Sequence, residues 1–224
     1  MSIIDWPEDQ RPRERLIRNG AQTLSDPELL AIFLRTGVPG KNAIELGRDL
    51  LSHFGSLEKL FASNLNQFSV LHGLGPAKFA QLQAAFELSR RALIEDLREG
   101  IKLSSPLAVK QYLRMELSTK ASEVFIALFL DTHHRLICTE QLFSGTLRHT
   151  NVYPREIVRA ALDHNAAAIV LAHNHPTGTC EPSESDITLT NTLKSALNLV
   201  DVNIIDHMII AQNTIYSFAE HGQL

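Results

Sequence analysis

The stretch LAHNHPTGTCEPSESD, from Leu171 to Asp186, carries an apolar run into a polar one across a Pro-Thr-Gly turn. The residues AAIVLA, Ala167 to Ala172, have the length and composition of a buried strand. Side chains of a strand alternate between its faces, so His173 and His175 share one face and Asn174 takes the other. After the turn, Ser183 and Asp186 stand at the spacing of a capping box, in which serine accepts a backbone N–H and the acid three residues on returns the bond. Solvated histidines and an ordinary helix cap would account for each residue singly. Capping leaves the histidine pair unexplained, however, and two co-facial imidazoles plus a carboxylate supply the three protein ligands of a catalytic zinc. His173, His175 and Asp186 are therefore the candidate ligands. Two histidines and one carboxylate leave such a metal net positive, which favours acidifying water bound to it.

Outward from this stretch, the period of the sequence changes near Gly100. Before it the pattern is helical. TLSDPELLAIFLRTG offers Ser25 or Asp26 as a cap, Pro27 at the first turn, Leu29, Leu30, Phe33 and Leu34 at helical spacing, and Gly37 as a stop. KNAIELGRDLLSHFG predicts a second helix ended by Gly55, short helical pieces follow around SLEKLF and NLNQF, and a long helix begins at Pro76. Residues 1–100 thus read as a small all-α domain. Beyond it, LSSPLAVKQYLRMEL predicts a helix capped by Ser104 or Ser105. EVFIALFLD and HHRLICTEQLF read as strands around a turn at Asp131 to His134, and YPREIVRAALDHNA as a helix. SESDITLTNTLKSALNLV predicts a helix with Ile187, Leu193, Leu197 and Val200 on one side, and VNIIDHMIIAQNTIYSF closes with two or three strands. Strands interleaved with helices place residues 101–224 in the mixed α/β class.

The composition limits the partners. With 21 Lys and Arg against 25 Asp and Glu, the net charge is −4, and neither side of Gly100 has the basic excess that a dedicated nucleic-acid grip needs. The opening MSIIDWPEDQRPRERL mixes charges around proline where a secretory signal needs an apolar core, and nothing approaches a membrane span, so a cytoplasmic protein without membrane contact is expected. Cys138 and Cys180 are too few for a disulfide framework, and a buried small hydrophobe is the ordinary role for each.

The pattern His-x-His-x7-Ser-x2-Asp, written HNHPTGTCEPSESD, resembles the metal motif of the JAMM (MPN+) metallopeptidases. EVFIALFLD, LFSGTL, YPREI, AHNHPTG, EPSESD and DHMII, in that order, resemble the bacterial RadC branch (UPF0758), and the helical first half is similar too. The resemblance implies a JAMM/MPN-like mixed sheet with flanking helices, layered as in cytidine deaminases, and one zinc held by His173, His175 and Asp186. It also implies a general base just before a buried strand, which Glu123 matches, with Glu140 and Glu156 as competitors, and a role for the Ser183 hydroxyl at a developing oxyanion. The expected activity is zinc-dependent hydrolysis of a peptide or isopeptide bond in a protein or peptide substrate. Asn174 departs from the serine or threonine common between the histidines of ubiquitin-cleaving members, so the metal chemistry transfers more safely than the substrate.

Other readings rest on fewer residues. LHGLGPAKFAQL resembles a helix-hairpin-helix element in which Gly73 and Gly75 form a tight turn and Pro76 opens a helix whose N-terminus, with Lys78, contacts phosphate. This motivates the alternative of a DNA-repair accessory protein making weak, sequence-independent DNA contacts; a glycine-capped helix connection is the plain reading. His207 could orient a ligand from behind, though a locally satisfied strand residue is more usual. His133 and His134 read as a solvated turn. The string HNH is not the dispersed triad of the nucleases that carry those letters, and the Pro-Cys-x-x-Cys of zinc deaminases is absent.

Overall fold

A computed structural model describes residues 3–98, 106–145, 152–211 and 214–224. Gly100, Ser104 and Ser105 lie outside the described residues. The chain divides into two compact units, Met1–Ser89 and Arg90–Leu224. The division falls inside a helix rather than at Gly100, because the last turns of that helix bury Leu97, packed with Ile94, in the core of the second unit.

The first unit is helical. After short 3₁₀ turns come α1 (Pro12–Asn19), α2 (Asp26–Leu34), α3 (Ala43–Phe54), α4 (Leu57–Ala62), α5 (Leu65–Phe68) and the start of α6 (Pro76–Arg98). Side-chain caps start α2 to α5: Ser25 with Glu28, Asn42 with Glu45 and Asn64 with Gln67 form capping boxes, and Ser56 caps α4. α2 stops at Leu34, with Arg35 in the left-handed region at φ 63°, earlier than Gly37. It buries Leu30, Ala31 and Leu34, leaving Phe33 exposed. Gly37 has a different duty, since a Cβ there would stand 2.0 Å from the Lys41 carbonyl oxygen.

The second unit is a five-stranded sheet among the described residues, order β2-β1-β3-β4-β5. Its strands are β1 (Glu123–Leu130), β2 (Leu136–Gly145), β3 (Ala168–Asn174), β4 (Asn203–Ala211) and β5 (Thr214–Ser217). Only β3 and β4 run parallel, and α9 (Glu184–Asn198) crosses over between them, as a parallel pair requires. The central strands are buried on both faces, which explains their nearly continuous apolar runs. On one face Val124, Ile126, Leu128 and Leu130 of β1, with Val170 and Ala172 of β3, pack against α7 (Pro106–Leu117). On the other, Phe125, Ala127, Phe129, Ile169 and Leu171 meet Ile157 and Ala161 of α8 (Pro154–Asp163) and Leu193 and Leu197 of α9. Two helix layers therefore enclose one sheet. No described helix is long and apolar enough to cross a membrane.

Gly73 gives the first unit a sharp test. It sits at φ +84°, and a Cβ would lie 2.0 Å from Val38 Cγ1. Gly73→Ala is expected to lower stability by about 1–3 kcal/mol from backbone strain alone, with the collision adding to it. In chemical denaturation, adding Val38→Ala should recover the collision's share and leave the backbone share in place.

Candidate metal centre

β3 delivers the imidazoles to the face that α8 and α9 cover. His173 pairs with Phe125 of β1 and Ile209 of β4. His175, one step past the strand, donates its backbone N–H to the Ile210 carbonyl at 2.9 Å. α9 then brings in the carboxylate. Its buried positions are Asp186, Thr190, Leu193 and Leu197, so Asp186 enters on the side of the leucines that pack on the sheet. Ile187, expected on that face, is instead partly exposed, because the helix has turned the polar pair Asp186 and Thr190 inward. Asp186 Oδ1 lies 3.3 Å from His173 Nε2, and Oδ2 lies 3.6 Å from His175 Nε2. The two Nε2 atoms are 3.0 Å apart.

The proton positions follow from partners that can only accept. Thr190 Oγ1 donates to the Asp186 carbonyl at 2.6 Å. Having spent its one proton, it accepts from His207 Nδ1–H at 2.6 Å. His207 Nε2 is then an acceptor, and takes the Nδ1–H of His173 at 2.9 Å. His175 Nδ1–H donates to the Thr179 carbonyl at 2.8 Å. Both Nε2 atoms therefore present lone pairs towards each other and towards Asp186. Three electron-rich atoms held this close favour a cation among them, and a tetrahedral zinc with bonds of roughly 2.1 Å spaces its ligand atoms roughly 3.4 Å apart. The donor set fits zinc.

Burial tunes the same groups. It pushes His173 down to about 4, against the pull of Asp186, and pushes the fully buried His207 well below the ordinary imidazole value. Both stay neutral, as ligand and support must. His175 moves the other way: Asp186 raises its pKa against the pull of burial, helped by the Thr179 carbonyl and the charge of Glu123. Burial would raise Asp186, but His175, His173 and Ser183 together hold it well below the usual carboxylate range.

Ser183 is a helix cap and a support for the ligand at once. Asp186 Oδ2 accepts from the Ser183 N–H at 2.8 Å and from its hydroxyl at 2.6 Å, while Ser183 Oγ accepts from the Asp186 N–H at 3.2 Å. The capping box expected of Ser183 and Asp186 is formed. In it the hydroxyl proton is turned to Asp186.

Glu123 opens β1 with Oε2 shielded from solvent, near enough for its charge to act on His175. Asn174 fixes that segment from the opposite face of β3. Its Oδ1 accepts from Val124 N–H at 2.7 Å, and its Nδ2 donates to the carbonyls of Lys120 and Ser122 at 3.2 and 3.1 Å. The competing acids are engaged elsewhere: Glu140 with His164 and Glu156 with Arg155 and Arg159. His133 and His134 are exposed in their turn. Cys138 and Cys180 are free and half-buried, less enclosed than expected. His207 corrects its ordinary reading, since its partners are a candidate ligand and Thr190 rather than its own neighbours. Thr190 was missed; its position one turn after Asp186 was the available signal. In the first unit Gly73 and Gly75 do lead into Pro76 of α6, but the Lys78 ammonium donates to the Thr36 carbonyl at 3.1 Å, and burial lowers its pKa.

Residues 103–223 match the family described as RadC-like JAB domain, and residues 3–80 match the UPF0758 N-terminal family. A UPF0758 protein of Herminiimonas arsenicoxydans is 62% identical over all of both chains. One of Nitrosomonas eutropha is 60% identical over 99% of each. The chain belongs to the UPF0758 family of RadC-like JAB-domain proteins. The JAB domain thus covers the sheet and every residue of the histidine and aspartate cluster, while the UPF0758 N-terminal match covers the first five helices and the start of α6.

A metal entering this cluster would have to displace the proton that His175 gains when its pKa is raised. Affinity for zinc should fall as pH drops below that raised value, by about tenfold per pH unit for one proton, and level off above it. Chelator competition across pH 5.5 to about 8 reads this slope. Thr190→Val, nearly isosteric, removes the acceptor for His207 and should weaken zinc binding by about 10-fold or more.

Proposed function

We propose that the protein is a zinc-dependent hydrolase that cuts a peptide or isopeptide bond in a protein or peptide substrate. The observation that carries this reading is the convergence of two fixed imidazole lone pairs and Asp186 beside the shielded carboxylate of Glu123. His173, His175 and Asp186 would hold the ion. When bound, zinc supplies positive charge that polarises a carbonyl and acidifies water.

The remaining work belongs to the protein. Glu123 accepts the proton that attacking water sheds and returns it to the departing nitrogen, a task for a carboxylate held at the edge of the site. Asn174 keeps residues 120–124 fixed so that this carboxylate does not drift. His207 and Thr190 hold His173 in the tautomer that leaves Nε2 free. Ser183 orients Asp186; turning its hydroxyl from Asp186 towards a developing oxyanion would add electrostatic stabilisation. The net charge of −4 gives the chain no basic excess, which supports the enzyme over the DNA-binding accessory reading. Lys78, the cation that reading relies on, is bound to Thr36.

Zinc-loaded wild type and Glu123→Gln, incubated with a cell-derived protein mixture, provide the test by mass spectrometry of new chain ends and released amines. Wild type should generate a defined set of cleavages. Glu123→Gln should bind the same zinc and cut about 10²–10⁴-fold more slowly. Equal cleavage by both proteins, or no zinc-dependent cleavage by wild type, would remove the hydrolase reading.

A further inference from the structure

A second group of metal-ligating side chains converges on another part of the sheet. Cys138 and Glu140 lie two residues apart on β2, so their side chains share a face. They pair with Phe129 and Ala127 of β1, which fixes that face as the one covered by α8 and α9. His164 ends α8, its backbone N–H donating to the Ala160 carbonyl. Asn165, in the left-handed region at φ 51°, then turns the chain away. The imidazole lies with its centre 5.0 Å from that of Phe129 and its Nε2 2.6 Å from Glu140 Oε1. One ligand atom each from Cys138, Glu140 and His164 falls within 4.8 Å of the other two.

We propose that Cys138, Glu140 and His164 form a second divalent-metal site, selective for zinc-class ions, that ties β2 to the end of α8. Three considerations support it. An imidazole, a thiolate and a carboxylate form a donor set that suits zinc, whereas a hard ion such as magnesium would want oxygen ligands throughout. Thiolate and carboxylate together neutralise a divalent ion, so the complex carries no net charge into a half-buried position. All three residues are partly exposed, which leaves the ion open to solvent for its fourth ligand. A His164–Glu140 ion pair alone would account for two of the groups and would give the sulfur no reason to complete the triangle.

Binding follows a simple balance: the sulfur–metal bond forms as the thiol proton leaves to solvent. In the metal-free protein burial, aided by the charge of Glu140, raises the Cys138 pKa, so the thiol waits as a protonated ligand rather than a nucleophile. The site shares no residue with the His173, His175 and Asp186 centre, and either can exist without the other.

Cobalt(II) titration of chelator-treated full-length protein distinguishes them, since thiolate ligation gives a near-ultraviolet charge-transfer band that imidazole and carboxylate do not. Wild type should take up two equivalents and develop the band. Cys138→Ser and His164→Ala should each take up one equivalent without the band, while His173→Ala/His175→Ala should take up one equivalent and keep it. Cys180 lies in the loop beside the first centre and is the control: Cys180→Ser should retain both equivalents and the band. A single equivalent with no band in wild type would overturn the proposal. So would a band that survives Cys138→Ser or disappears in Cys180→Ser. Circular dichroism of the near-isosteric Cys138→Ser variant establishes that a lost equivalent reflects a lost ligand and not a lost fold.

Discussion

The chemistry at the sheet's end depends on where one hydroxyl proton goes. Thr190 donates to the Asp186 carbonyl one helical turn back, a bond any threonine in a helix can make. Because that proton is spent, the oxygen can only accept from His207, and His207 can then only accept from His173. A local backbone interaction in α9 thereby fixes an imidazole tautomer two strands away. Neutrality is needed at every link, and burial enforces it by disfavouring the protonated forms of His173 and His207. A metal-ligating histidine with its second nitrogen satisfied is a more basic and better aligned ligand. For His173, a candidate ligand, that support would be a relay of two side chains rather than a single carboxylate.

The same economy governs α9. Its first turn must satisfy free N–H groups, and its acidic residue must also reach the histidines. One capping box meets both demands: Ser183 and Asp186 exchange bonds through Asp186 Oδ2 and the backbone, and Oδ1 remains turned to His173. Helix start and the position of the Asp186 carboxylate cannot be altered independently. Replacing Ser183 would loosen the cap, typically worth about 1 kcal/mol, and would also release the carboxylate from its orientation.

Some of this was legible in the sequence because it follows from short-range geometry. Strand alternation put His173 and His175 on one face and Asn174 on the other, and capping-box spacing located the start of α9. The shift in period separated a helical unit from a mixed one. What stayed hidden depends on register between distant segments. Leu171 and His207 are neighbours only because β3 and β4 pair in parallel, and nothing in DHMII announces that partner. The face of α9 was misread for a related reason: apolar spacing favoured Ile187, whereas the polar partners at the sheet's end draw Asp186 and Thr190 inward. At Arg35 the chain enters the left-handed region without glycine, so α2 ends sooner than a glycine stop suggests. No pattern in the sequence joined Cys138, Glu140 and His164, since their meeting requires α8 to end beside β2.

β3 is best understood as a strand that organises both of its faces. Odd positions carry Ile169 and Leu171 into the α8 and α9 layer and end in His173, with His175 continuing beyond. Even positions carry Val170 and Ala172 into the α7 layer and end in Asn174. Had position 174 been serine or threonine, it could have met some of the three backbone groups at Val124, Lys120 and Ser122, but not all of them, because a hydroxyl carries one proton and no amide fork. Asparagine supplies an acceptor and two donors on a short, stiff side chain, and so joins the segment leading into β1 to the strand between the two imidazoles. The separation between Glu123 and the histidines is then set by backbone on both sides rather than by a flexible loop. A carboxylate can be positioned in this way through the backbone that carries it.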